Sequence, residues 1–202
     1  LEDFLGMIGI PMEPTPNFPK KGSVLVTAAA LKDEAVVSKI TEFVAAGGHV
    51  YATSGFMIGA LANEAAGKEK ISELTSIRYN NKRLDADEFQ VSVSGDQGRN
   101  YVKSAGLISF PLLEHRNNAT WSKVNAGHGE YHESIVMYET YGKGIFEVIN
   151  LPDMPSRIRD LPDDVLTAIR YELTGEGKIW IDGGYGVSLF TYDNNTFGLY
   201  CY

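Results

Sequence analysis

ITEFVAAGGHVYATSGF, residues 40–56, is the stretch on which the reading of this chain turns. Its first half continues a pattern begun upstream. Val36, Val37, Ile40, Phe43 and Val44 recur three and four positions apart, which is one face of an α-helix. Asp33 stands where a helix cap is expected, and Gly47-Gly48 supply a stop in conformations that glycine adopts cheaply. HVYAT (49–53) is then a short strand, and SGFMIGALANEAAG (54–67) a second helix ending at Gly67. SVLVT (23–27) is a further apolar, β-branched strand ahead of the first helix. Strand, helix, strand, helix at this spacing predicts an α/β fold, a mostly parallel sheet flanked by helices.

Toward the N-terminus, Leu1, Phe4, Leu5 and Ile8 fall at helical spacing, and four prolines from Pro11 to Pro19 then force an extended crossing. The chain opens with leucine instead of methionine, so an excised or processed piece of a longer protein is expected. Beyond residue 70 the character turns to β. LTSIRY, EFQVSVS and AGLISFPLLE carry apolar or alternating runs, separated by the polar NNKRLDAD and GDQGRN. SIVMYETYGKGIFEVINLP (134–152) reads as two strands hinged at residues 141–144. LPDDVLTAIRYELTG (161–175) is a helix with Val165, Leu166, Ile169 and Leu173 on one face. The tail from Lys178 to Tyr202 is aromatic and broken by Gly183-Gly184 and Asp193-Asn194-Asn195, which predicts two or three antiparallel strands joined by tight turns.

Composition excludes several classes of function. At 202 residues, 44% hydrophobic and 22% charged, the chain suits a soluble domain with a real core. Its net charge is −8, and its 18 basic residues never form a run, so no nucleic-acid partner is expected. No apolar run approaches the roughly 18 residues of a membrane span, and no signal-peptide pattern opens the chain. Cys201 is the only cysteine, which excludes a disulfide within the chain and leaves the compartment open.

Three segments together resemble one family. ITEFVAAGGHVYATSGF resembles the helix, double glycine and strand that lead to the active-site turn of class I glutamine-amidotransferase-like (flavodoxin-like) domains. YGKGIFEVINLP resembles their late strand, where a Tyr-Gly-x-Gly turn precedes an apolar run ending in proline. The closing GVSLFTYDNNTFGLYCY is similar to strands attached to such domains in multidomain glycoside hydrolases, as in the trimerisation domain of microbial β-galactosidases. The resemblance implies an amidotransferase-like domain over residues 1–175 that lacks the family's first strand, and a β extension over 176–202. It implies other domains of the same polypeptide, or further copies, as partners. It also implies a periplasmic or secreted location if the host is a glycoside hydrolase, and no cofactor.

Active members of that family place a cysteine on the strand-to-helix turn, where the helix N-terminus lowers its pKa. Here the turn reads Ala52-Thr53-Ser54-Gly55-Phe56, without a thiol. As a serine elbow it satisfies the need for a small residue at Ala52 and violates it at Phe56. Ser54 has a plainer reading as the cap of the following helix. Were it a nucleophile, His115 or His128 would be its base, oriented by Glu114 or Glu130.

GHGEYHE (127–133) gathers two of the four histidines. His128 and His132 would share a helix face, but Gly127 and Gly129 oppose a helix; in extended form His128, Glu130 and His132 alternate onto one face, a weak metal candidate. No HExxH order completes it, so a polar loop is the plain reading and no metal is expected. Glu130, Glu133 and Glu139 are carboxylates of the kind that cleave glycosides when paired roughly 5–9 Å apart. Trp121, Tyr131, Trp180 and Tyr185 can stack on sugar faces or fill a core and an interface. The reading that follows is a non-catalytic structural and interaction domain of a larger carbohydrate-active protein, with no catalytic residue. Beside it stand a serine hydrolase built on Ser54 and a carbohydrate-binding module.

Overall fold

The computed structural model describes residues 2–62, 68–92, 99–175 and 178–202. The last residues of the helix expected to reach Gly67, and the GDQG of the polar segment after EFQVSVS, lie outside them. In chain order the elements are α1 (Glu2–Met7), β1 (Ser23–Val26), α2 (Val36–Ala45), β2 (His49–Thr53), α3 (Ser54–Ala62), α4 (Lys68–Leu74), β3 (Arg78–Ser92), β4 (Arg99–Glu114), β5 (Trp121–His128), β6 (Tyr131–Tyr141), β7 (Gly144–Ile149), α5 (Asp163–Thr174), β8 (Val187–Thr191) and β9 (Phe197–Cys201). Short 3₁₀ turns occupy Ala28–Lys32 and Pro155–Asp160.

Seven strands form one sheet in the order β1-β2-β7-β6-β5-β3-β4, and β8 and β9 pair separately. The architecture is the expected α/β fold with a small antiparallel extension. Parallel pairing is confined to β1, β2 and β7; the other four strands join antiparallel, so the sheet is mixed. The polar NNKRLDAD does not separate strands but lies inside β3, because a sheet edge facing water tolerates charge on its outer face. At the far end of the sheet, β3 and β4 form a long ribbon. It reaches back to the chain following β7, where Asn150 Nδ2 donates to the Pro111 carbonyl at 2.7 Å and the Asp153 N–H to the Ser109 carbonyl at 2.9 Å.

Alternation along β2 and β7 divides the core in two. Val50, Ala52, Phe146 and Val148 face α2, α3 and α4, while Tyr51 and Ile149 face α1 and α5. The apolar stripe of α2, from Val36 to Val44, is buried as its spacing predicts. Each fully buried side chain of this size contributes about 1.5–3 kcal/mol over its exposed form.

Asp33 works two residues earlier than expected. Its carboxylate accepts the Ala35 N–H at 3.0 Å, in the turn that feeds α2, and not an N–H of the first helical turn. The other end follows the sequence closely. The Gly47 N–H bonds the Val44 carbonyl at 3.0 Å and the Gly48 N–H the Phe43 carbonyl at 2.9 Å, with Gly47 at φ +111. That is the paired closure of a helix by a left-handed glycine.

The two glycine motifs of the sequence touch each other. The Lys143 N–H donates to the Ala45 carbonyl and the Ile145 N–H to the Gly48 carbonyl, both at 3.2 Å. A Cβ added at Gly144 would stand 2.3 Å from the carbonyl oxygens of both Val44 and Gly48. Backbone meets backbone there, and no rotamer can relieve it. We expect Gly144→Ala to destabilise the fold by about 1–3 kcal/mol in urea unfolding, while Gly106→Ala, with nothing within 4 Å of its Cβ, changes little. Equal effects of the two substitutions would contradict this packing.

Candidate functional site

The turn after β2 holds Ser54 in a structural bond. Its hydroxyl donates to the Leu151 carbonyl at 3.4 Å and accepts the Leu151 N–H at 3.2 Å, and the residue is 5% exposed. It ties the start of α3 to the chain leaving β7. The cap is its neighbour: Thr53 Oγ1 accepts the Phe56 N–H at 3.4 Å. Phe56 itself is fully buried beneath the turn. The expectation that Ser54 caps α3 is therefore corrected by one residue.

His128 ends β5, which stands three strands from β2 in the sheet, about 14 Å at ordinary strand spacing. It is bonded to Asp87 of β3, not to Ser54, with Nδ1 and Oδ1 2.8 Å apart. His115 is exposed just past the end of β4, and Glu114 accepts a hydrogen bond from Asn80 Nδ2. The structure does not bring these residues together with Ser54.

GHGEYHE is the tip of the β5–β6 hairpin, with Gly127 opposite His132 and His128 opposite Tyr131. Gly129 turns the chain at φ +64, so Glu130 sits in the turn, exposed, and out of the extended alternation expected for it. His132 Nε2 lies 3.6 Å from Glu88, whose other oxygen takes Lys103 Nζ at 2.6 Å. The Asp87 carboxylate holds the His128 imidazole above its usual range, and His128 holds Asp87 below the usual carboxylate range. These are exposed pairs across strands. Among the described residues, no group of three or more His, Cys, Asp and Glu side chains could hold a metal. Glu139 is buried and saturated: it accepts the Thr75, Ser76 and Thr120 hydroxyls and the Ser76 N–H.

A different constellation, missed in the sequence, lies on the α5 face. Glu147 of β7 is fully buried, with Oε2 3.0 Å from His49 Nε2 and Oε1 3.5 Å from Lys123 Nζ. Lys123 also bonds Glu172 of α5 and lies over the Tyr138 ring, 4.9 Å from its centre. Tyr51 stacks on His49 at 4.1 Å between ring centres and donates to the Glu172 carbonyl at 2.6 Å. A bulge places Lys123 there. Register shifts around Val124 let two successive residues serve the same face, Val124 in the core beside α5 and Lys123 on Glu172.

Two carboxylates thus share one ammonium. Burial works against the Lys123 charge, yet Glu147 and Glu172 outweigh it and hold the ammonium above the usual lysine range. Burial, reinforced by Glu147, pushes the Glu172 carboxyl up, and Lys123 only partly opposes this. Tyr51 is raised too, first by burial and then by the same carboxylates.

Beside this cluster a cleft of about 410 Å³ opens between β3, β4, β5 and α5. Lys123, Asn100, Asp164, Tyr171, Glu172 and Trp180 line it, with Trp180 set edge-on to Tyr171 at 5.8 Å. Of the aromatics weighed as stacking platforms, Trp121 and Tyr131 are exposed elsewhere, and Trp180 alone reaches the cleft among the described residues.

A carboxyl whose folded pKa is raised stabilises least when ionised. The share of stability owed to Glu172 is therefore full below the ordinary glutamate value of 4.5 and lost as pH rises through the higher folded value. Glu172→Gln should gain in thermal midpoint relative to the native protein as pH goes from about 4 to about 7. A difference that is flat, or that shrinks over this window, would contradict the assignment.

Similarity to known proteins is strongest at the level of fold. Cytoplasmic Protein STM1381 from Salmonella typhimurium LT2 superimposes with a TM-score of 0.52 at 12% identity, over 84% of this chain and 78% of that one. Two glycoside hydrolases align less well. For the beta-galactosidase from Bacillus circulans sp. alkalophilus the TM-score is 0.47 at 15% identity, over 84% of this chain and 25% of that one. For the cold-adapted beta-galactosidase from Rahnella sp. R3 it is 0.44 at 17%, over 83% and 24%. This chain therefore spans about a quarter of either enzyme. No curated protein matches it. Residues 1–154, well over half of the chain, match the family defined by the second domain of the uncharacterized protein SSO3021, and the chain belongs to that family.

Proposed function

We propose that this chain is a non-catalytic structural and interaction domain of a larger carbohydrate-active protein. Residues 1–175 form its amidotransferase-like body and 176–202 its β extension. The observation that carries the reading is the condition of Ser54. At the turn where the resembled family keeps its nucleophile, the hydroxyl is buried and engaged in both directions by Leu151. A nucleophile needs a base within hydrogen-bond reach and room for a reacting carbon. Ser54 is bonded to backbone instead, and the neighbouring Phe56 is fully buried.

The β8–β9 hairpin supports the interaction half. Phe190, Tyr192, Phe197, Leu199 and Tyr200 each expose more than half of their surface. Phe190 and Tyr200 stand on one face of the ribbon and Phe197 and Leu199 on the other; apolar surface exposed in this way favours docking onto another folded unit, a neighbouring domain or a second copy.

Ser54→Ala tests the catalytic side. Any hydrolysis of aryl esters or aryl glycosides by the purified chain should be unchanged. Unfolding free energy should fall by about 1–3 kcal/mol as the buried Leu151 N–H loses its acceptor. A loss of turnover of about a hundredfold with stability intact would make Ser54 a nucleophile and overturn the proposal.

A further inference from the structure

The cleft beside α5 shares no residue with the Ser54 turn and is not needed by the structural reading. Its volume, about 410 Å³, is within the ordinary range of small-molecule sites. One wall is aromatic, made by Tyr171 and Trp180; Val91 and Ala168 add apolar surface, and the other lining side chains are polar or charged. Charge decides what it prefers. Lys123 is the only basic side chain lining it among the described residues, and that ammonium is already divided between Glu172 and the buried Glu147. Among the described residues Glu147 Oε1 accepts no hydrogen bond, and Lys123 Nζ stands 3.5 Å from it. Asp164, exposed on the first turn of α5, makes no ion pair among the described residues. The guanidinium of Arg170, one turn before Thr174 on the same helix, is spent on backbone carbonyls.

We propose that this cleft binds an organic ammonium ion, its carbon chain against Trp180 and Tyr171 and its N–H groups on the Asp164 carboxylate. An anion would meet the Asp164 and Glu172 carboxylates around one ammonium that Glu172 and the buried Glu147 already share. A neutral polyol would use the hydroxyl and amide groups but leave the negative excess uncompensated. A cation cancels that excess, and the face of an indole attracts it further.

The chain has two tryptophans, so a Trp121→Phe background leaves Trp180 as the sole indole reporter. Titration of that protein at constant ionic strength would compare n-butylammonium and 1,4-butanediammonium with methyl glucoside and butyrate. The two ammonium probes should change Trp180 emission saturably, with a Kd at or below about 1 mM. Asp164→Asn should weaken them about tenfold, and Trp180→Leu should do the same by calorimetry. Circular dichroism checks that each variant is folded. No saturable ammonium response, methyl glucoside or butyrate binding as tightly as the amines, or an unchanged affinity in folded Asp164→Asn would each overturn the proposal.

Discussion

One buried guanidinium holds the α5 face of this molecule together. Arg170 is fully buried, and Nε donates to the Ile8 carbonyl while the terminal nitrogens reach the carbonyls of Ile181, Gly183 and Gly184. A buried cation is tolerable only when its donors are satisfied. Here the acceptors are backbone oxygens, with Asp163 and Asp182 close enough to favour the charge while burial opposes it. The arrangement draws three remote pieces of chain to one point: the end of α1, the middle of α5 and the segment between α5 and β8. Two further bonds fasten the same junction, Ser188 Oγ to the Gly6 carbonyl at 2.8 Å and the Gly186 N–H to the Met7 carbonyl at 3.3 Å. Because the 181–184 segment is fixed in this way, the preceding Trp180 has a defined place against Tyr171. The wall of the cleft is a consequence of the clamp.

The sheet solves a separate problem on its other side. Parallel strands need crossover helices, and α2 and α3 supply them, but the return from α2 to the sheet must be tight. Gly47, Gly48, Gly142 and Gly144 allow the end of α2 and the β6–β7 turn to approach with no side chain between them. Beyond β7 the sheet changes to antiparallel pairing, and irregular register becomes the means of aiming side chains. The bulge near Val124 turns Lys123 toward α5, where it joins His49 beside the buried Glu147 carboxylate. Backbone irregularity and buried charge therefore depend on one another here.

Legibility in the sequence followed the range of the physics involved. The helix over α2, its glycine closure, strands β1 and β2, the β6–β7 hinge and α5 were all readable, because periodicity and left-handed glycines act within a few residues. The missing thiol at residues 52–56 was readable for the same reason. Local rules erred by two residues at Asp33 and by one at Ser54, where a plausible cap does its bonding elsewhere. The fully buried Glu147 and Arg170 gave no local sign at all: each stands in a pattern that reads simply as strand or helix.

By itself the sequence determined the α/β class, the strand and helix order from β1 to α3, the glycine closure of α2, the β6–β7 hinge and the lack of a thiol at the elbow, since all of these follow from near-neighbour sterics and from which side chains exist. Only the tertiary structure decided that GHGEYHE is a hairpin tip paired to Asp87 and Glu88, that Ser54 is taken up by Leu151, and that His49, Lys123, Glu147 and Glu172 converge. Those outcomes rest on sheet order, a bulged register and the docking of α5, contacts between residues up to about a hundred positions apart. Burial then converts that proximity into interaction energy, and burial is a property of the folded chain as a whole.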